Sequence, residues 1–224
     1  MNYIKRLEKL MTRLRSKNGC PWDKKQTHKS LKPYLLEEAH EVLEAIESGD
    51  PGLLKEELGD LLLQVVFHAQ LAKEKGKFNL QAIAKNIGDK LVRRHPHVFG
   101  KSSRKMEHIF QKWEEIKRQE KPQRKSVFEG LPKSLPALLR AQRMHEKIAQ
   151  HDDPKAGPKA KKGLDQAWRD FQRALKTGKK SSQEKAAGEF LFQFTCLART
   201  RGLHAEMALR EASERFEKKF KKPK

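Results

Sequence analysis

Apolar residues recur along this chain at helical spacing, and no stretch alternates apolar with polar as a one-sided strand would. Ile4, Leu7, Leu10, Met11 and Leu14 share a face and predict an amphipathic helix over residues 3–17. A loop through Cys20-Pro21-Trp22-Asp23 leads to two helices over about 27–47 and 52–74, separated by the turn signal Ser48-Gly49-Asp50-Pro51. A further helix over 79–94 stops where His95-Pro96 forbids continuation, and a basic helix follows at 105–119. Lys121-Pro122, Gly130 and Leu131-Pro132 mark a linker, beyond which residues 136–151 resume helical periodicity. Residues 152–163 (DDPKAGPKAKKG) read as a loop. The predicted class is all-α.

The second helix of the hairpin carries the most chemistry. From Leu53 to Leu71 it is apolar nearly all round, which predicts burial on most sides. Glu57, Asp60, Gln64 and His68 cross this surface as one polar stripe. On the preceding helix Glu38 borders the apolar face of Leu35, Ala39, Val42 and Ile46, and Glu41 follows one turn on. Glu41 and Glu57 are equidistant from Gly49, as are Glu38 and Asp60, so an antiparallel hairpin brings four acids to one level. A run of glutamates is ordinarily a solvated face. Here the apolar setting argues otherwise, because clustered carboxylates in low dielectric need a cation to offset desolvation and repulsion. All-oxygen ligands select Mg²⁺, with Mn²⁺ as the alternative. The candidate metal ligands are therefore Glu38, Glu41, Glu57 and Asp60.

Composition narrows the classes. Among 224 residues 36% are hydrophobic and 35% charged, which suits helical bundles with wet outer faces. No run approaches the apolar length of a membrane span, and the amino-terminal residues lead directly into an amphipathic helix. Only two cysteines, Cys20 and Cys196, suggest a reducing compartment, so a cytoplasmic location is expected. The net charge of +21, carried mostly by residues 101–224, attracts polyanions and allows a non-specific nucleic-acid affinity. No nucleic-acid-binding motif accompanies it. His95 and His97 lack a partner at zinc spacing, and Gly100-Lys101-Ser102 lacks the first glycine of a phosphate loop.

Three segments together carry a resemblance. Glu37-Glu38-x-x-Glu41 with Glu57-x-x-Asp60, Gly19-Cys20-Pro21-Trp22-Asp23 with Gln26-Thr27-His28, and Arg93-Arg94-His95-Pro96-His97-Val98-Phe99-Gly100 resemble the MazG family. The resemblance implies an all-α, dimeric nucleoside triphosphate pyrophosphohydrolase that cleaves between the α and β phosphates. It implies Mg²⁺ at the acid quartet, with Glu37 or a ligand carboxylate such as Glu38 or Glu41 taking the water proton. It places Lys90, Arg93 and Arg94 near the metal as phosphate clamps. Lys55 is a further clamp candidate, Trp22 a base platform, and Asp23 a residue that reads the base edge or supports the loop. Ion pairing at a helix end is the competing reading for the two arginines, and simple packing for Trp22.

The second half repeats the first. Gly188-Glu189-Phe190-Leu191-Phe192-Gln193 echoes Gly59-Asp60-Leu61-Leu62-Leu63-Gln64, and Arg215-x-x-Lys218-Lys219-Phe220 echoes Lys90-x-x-Arg93-Arg94-His95. Two-domain members of the family carry such a duplication. The expected organisation is a catalytic domain at 1–119, a linker at 120–135 and a degenerate copy at 136–224. In that copy Ala186 and Glu189 replace the second acid pair, and Gln166 and Arg169 are aligned with the first. The competing function is a non-catalytic, basic helical regulator that binds nucleotides or nucleic acid. Four clustered carboxylates are of no use to such a binder of polyanions, which favours catalysis.

Overall fold

A computed structural model describes residues 2–100, 102–120, 123, 126–152 and 157–220, and among them it contains helices and turns with no strand. Lys101, the linker residues Lys121 and Pro122, and Asp153-Pro154 lie outside the described residues. The chain divides into two compact units, Met1–Glu120 and Lys121–Lys224. No helix among the described residues is long and apolar enough to cross a membrane.

The first unit is built from α1 (Tyr3–Leu14), the short α2 (Pro21–Lys25), α3 (Lys32–Ser48), α4 (Pro51–Glu74), α5 (Leu80–Arg94), the single turn α6 (Pro96–Phe99) and α7 (Met106–Gln119). Its helix starts follow local chemistry. Asn2 and Asn79 accept from the amides of Lys5 and Ala82, and Asp50 accepts from Gly52 N at 2.7 Å with Pro51 at the first helical position. The hairpin turn is short because Gly49 takes φ 71°, a left-handed conformation open to glycine, while the Ser48 hydroxyl accepts from Asp50 N at 3.1 Å. This turn sets the register of α3 against α4.

The core lies under the C-terminal half of α4, where Val66, Phe67, Ala69 and Leu71 meet Met11 of α1, Leu31 and Leu80. Arg15, just past α1, donates from Nε and Nη2 to the two carboxylate oxygens of Glu74, both at 2.8 Å, and from Nη1 to the Asp23 carbonyl. One guanidinium thus ties the end of α4 to α2, and its hydrogen bonds hold the Glu74 carboxyl below its usual range. The N-terminal half of α4 departs from the expected burial. Leu53, Leu58 and Leu62 are exposed, Leu58 by 48%, and Leu58 and Leu62 with Val65 at i, i+4 and i+7 form one face left open among the described residues.

The second unit contains α8 (Ala137–Asp152), α9 (Gly157–Lys176), α10 (Lys180–Thr200) and α11 (Ala205–Lys218). The loop expected at 152–163 is therefore mostly helix: α9 already begins at Gly157, since the alanines and lysines after Pro158 are good helix formers. The repeat seen in sequence is a repeat of helices, with α9–α10 packing as α3–α4 do and α8 against α10 as α1 against α4. Among the described residues its buried side chains are small or polar: Ala160, Ala167, Ala198 and Ala205, with Gln142 and Thr195. Buried Gln142 joins α8 to the turn before α11, donating to Leu203 O at 2.9 Å and accepting from Ala205 N at 3.0 Å.

Candidate metal centre

The α3–α4 register brings one ligand oxygen from each of Glu38, Glu41 and Glu57 within 4.8 Å of one another. Glu38 and Glu57 are half-buried and Glu41 is exposed. Asp60 stands outside this group of three, yet its charge acts on both Glu38 and Glu57, so the fourth predicted ligand lies beside the cluster. Burial raises the Glu38 carboxyl above its usual value, and the charges of Asp60 and Glu41 push it further against a hydrogen bond from Gln64. Glu57 is raised as well, by desolvation first and then by Glu41, Glu56 and Asp60.

Gln64 is the one amide in the polar stripe, and it is 6% exposed. Its Nε2 donates to Glu38 Oε1 at 3.3 Å, which fixes the amide's orientation because a carboxylate only accepts. Its Oε1 is buried without a hydrogen-bond partner. Raised carboxyls held together by the fold, an all-oxygen donor set and an unpaired buried amide oxygen beside it fit a hard divalent cation. No other group of three or more histidines, cysteines or acids among the described residues has this spacing.

The stripe continues to His68, whose Nδ1 lies 2.8 Å from Nδ1 of His28 in the loop before α3. The two ring planes are parallel within 1° and their centroids are 5.1 Å apart. Non-bonded atoms of stacked rings stay about 3.5 Å apart or more, so Nδ1 atoms at 2.8 Å mean the imidazoles meet edge to edge through a shared proton. Reciprocal bonds hold this loop: Thr27 N to Ser30 Oγ at 2.9 Å and Ser30 N to Thr27 Oγ1 at 3.1 Å.

The other predicted residues are placed as follows. Glu37 is exposed on α3, one turn before Glu41, and Lys55 is exposed on α4. Trp22, on α2, is 49% exposed and meets Tyr34 edge to face at 5.8 Å. Asp23 contributes its carbonyl to Arg15, which is loop support. Lys90 is half-buried on α5. Arg93 and Arg94, at the end of α5, are both ion-paired to Glu120, with Arg93 Nε donating to Oε1 at 2.8 Å and Arg94 Nε to Oε2 at 3.1 Å. These guanidinium bonds hold the Glu120 carboxyl down at about 2. Lys117 Nζ sits 4.0 Å from the Trp113 ring centroid on α7, and the Arg94 guanidinium is 5.9 Å from it. His95 and His97 form a packed turn in which His95 Nδ1 lies 2.6 Å from the Leu91 carbonyl.

Sequence reasoning treated Glu120 as the first residue of a linker, whereas its side chain is 14% exposed and belongs to the arginine pair. The available signal was spacing: Trp113, Lys117 and Glu120 fall at i, i+4 and i+7 of one helix face. The His28–His68 contact left no such trace, because it joins residues forty positions apart.

The second unit is also placed differently from its sequence alignment. Gly178 has φ 69° and closes the α9–α10 turn as Gly49 closes α3–α4. As Glu38 and Glu41 stand to Gly49, Ala167 and Asp170 stand to Gly178, one residue on from Gln166 and Arg169. Two acids thus persist, Asp170 and Glu189. Asp170 pairs with Arg173 at 3.1 Å, Glu189 accepts from Gln193 at 2.8 Å, and Ala167 is buried where Glu38 has its counterpart.

Comparison with known proteins shows the family. The profile of the MazG nucleotide pyrophosphohydrolase domain matches residues 26–99. A nucleoside triphosphate pyrophosphohydrolase of Escherichia coli K12 is 44% identical over 230 residues, 99% of this chain and 87% of the relative. The nucleoside triphosphate pyrophosphohydrolase/pyrophosphatase MazG of Thermotoga maritima is 42% identical over 218 residues, 96% of this chain and 83% of the relative. The crystal structure of a mazG-related protein from Thermotoga maritima is 29% identical and covers 51% of this chain and 98% of its own, with a TM-score of 0.44. With nearly its whole length matched at this identity, the chain belongs to the MazG nucleotide pyrophosphohydrolase family.

Proposed function

We propose that this protein hydrolyses nucleoside triphosphates to the monophosphate and pyrophosphate, using the acids of the α3–α4 hairpin. The observation that carries the reading is the convergence of Glu38, Glu41 and Glu57 within 4.8 Å on a hairpin whose register a glycine turn fixes. Glu38, Glu41, Glu57 and Asp60 would hold Mg²⁺, or Mn²⁺ in its place. Such an ion, when bound, supplies a Lewis acid for the phosphate oxygens and for a water. Glu37 stands outside the group of three and keeps its lone pairs, so it is the candidate to accept the proton of the attacking water. Lys55, Lys90, Arg93 and Arg94 supply positive charge for the triphosphate, and the two arginines are held in place by Glu120. Trp22 offers an exposed ring face for the base.

Leu58, Leu62 and Val65, at i, i+4 and i+7 of α4, form an apolar stripe open to solvent. A homodimer that packs two such hairpins together would cover it and enclose the neighbouring acids. We place the second unit as a degenerate copy without a metal, since its surviving acids are engaged by Arg173 and Gln193. A cytoplasmic location rests on the scarcity of cysteine.

The test is pyrophosphate release from a panel of NTPs and dNTPs, with and without Mg²⁺, beside Glu41→Gln. Metal-dependent release that the substitution abolishes is the expected result. Release unaffected by the substitution would move the chemistry to the second unit. No release from any nucleotide would favour the basic binding protein.

A further inference from the structure

The polar stripe of α4 contains two buried atoms without hydrogen-bond partners, Gln64 Oε1 and His68 Nε2. They belong to residues one helical turn apart on the same face, and side chains on a helix lean toward its N-terminus, which carries His68 toward Gln64. Each partnerless buried atom is costly, and two polar atoms on residues one helical turn apart are within reach of one buried water that bonds to both. At either end of this gap the bonds are already made. His28 and His68 share a proton between their Nδ1 atoms at 2.8 Å, and Gln64 Nε2 donates to Glu38 at 3.3 Å.

We infer that His28 and His68 are positioning residues for Glu38, acting through a continuous hydrogen-bond chain from His28 to His68, a buried water, Gln64 and the carboxylate. The polarity of the chain follows from its anionic end. Glu38 lies among Glu41, Glu57 and Asp60, so N–H and O–H dipoles aligned toward it are stabilised and reinforce one another. His28 therefore donates its Nδ1 proton, and His68 accepts on Nδ1 and carries its own proton on Nε2. That proton is donated to the water, the water donates to Gln64 Oε1, and Gln64 Nε2 donates to Glu38. The opposite polarity would leave the water donating to two acceptors with its own lone pairs unmet. Geometrically, the chain anchors the loop that leads into α3 to the polar stripe of α4, and α3 and α4 are the two helices that carry the acids. A metal between the two Nδ1 atoms is excluded by their edge-to-edge approach, which leaves room for a proton alone.

The positioning role rests on the reading of Glu38 as a metal ligand, and the test keeps the two apart. In the metal-free wild type, ¹⁵N NMR of the histidine rings at pH 8 should show a coupling across the Nδ1–Nδ1 hydrogen bond, with His68 protonated at Nε2. Calorimetry should show that His68→Phe weakens Mn²⁺ about tenfold, as loss of an outer-shell partner does. His68→Gln, which keeps an amide donor and acceptor, should recover most of that loss. A His68 protonated at Nδ1, the absence of the coupling, or a His68→Phe protein that is folded and binds Mn²⁺ as the wild type does would each overturn the inference. Coupling present with no Mn²⁺ binding by the wild type would take down the metal reading and the positioning role with it, and leave the bonded pair standing.

Discussion

Replacing Glu38 with glutamine should move stability in opposite directions with and without a cation. Without one, Glu38 faces Glu41 within 4.8 Å and feels Asp60 and a desolvating surround as well. A pair of unit charges at that separation repels by about 0.9 kcal/mol at the dielectric of water and about 3.5 kcal/mol at an effective value of 20. The site is half open to solvent, so the lower figure applies, and Glu38→Gln should stabilise the metal-free protein by about 1 kcal/mol. The amide keeps an oxygen for the Gln64 donor, so that bond is retained. The pH dependence has a definite sign. Glu38 has a raised folded pKa, so the folded state binds its proton more tightly, and ionising the group costs stability as pH rises. The advantage of glutamine is therefore full above the folded pKa and vanishes below the usual 4.5. With Mn²⁺ present the order reverses, because the wild type, with all four acids, gains more from binding than the variant does. Urea unfolding of both proteins in chelator at pH 4 and pH 7.5, and again with Mn²⁺, measures all of this. A glutamine variant less stable than wild type in chelator at pH 7.5, or an advantage that persists at pH 4, would refute the repulsion argument.

Three further outcomes are expected. Glu120→Gln should lower the stability of the first unit by up to about 1 kcal/mol near neutrality, a screened ion-pair value. Its folded pKa is depressed to about 2, so the loss should be present above pH 4.5 and fade as pH falls toward 2, as measured by unfolding across pH. Gly19→Ala should destabilise by more than 2 kcal/mol, on the order of a strained backbone site, because its methyl would lie 2.0 Å from the Leu14 carbonyl oxygen; chemical unfolding reads this directly. Leu62→Glu should halve the apparent mass in sedimentation if the open α4 stripe is a dimer face, and an unchanged mass would remove that role from it.

Periodicity and turn chemistry decided most of the secondary structure, because helix signals are local. Pro51, Asn79 and the glycines at the turns act within a few residues of themselves, and so do the i,i+3 steps of Glu38–Glu41 and Glu57–Asp60. A short turn also converts sequence distance into height, and for that reason a cluster of acids was readable before any fold was known. The duplication was readable for the same reason, while the register of its first acid pair follows from the positive-φ turn glycines Gly49 and Gly178, which only the folded backbone displays.

What the sequence left undecided depends on side chains that meet across long separations. Which acids converge closest is set by packing, and it leaves Asp60 at the edge of a group of three. Burial of α4 is set by what packs on each face, so its C-terminal half is core while Leu58 and Leu62 remain open. Arg93 and Arg94 have the same charge whether they meet a phosphate or a carboxylate, and only the return of α7 supplies Glu120. His28 and His68 likewise become one hydrogen-bonded unit only when the loop before α3 closes over α4. Local sequence determines which groups a helix presents, and the tertiary fold determines which of them share a proton, a charge or an ion.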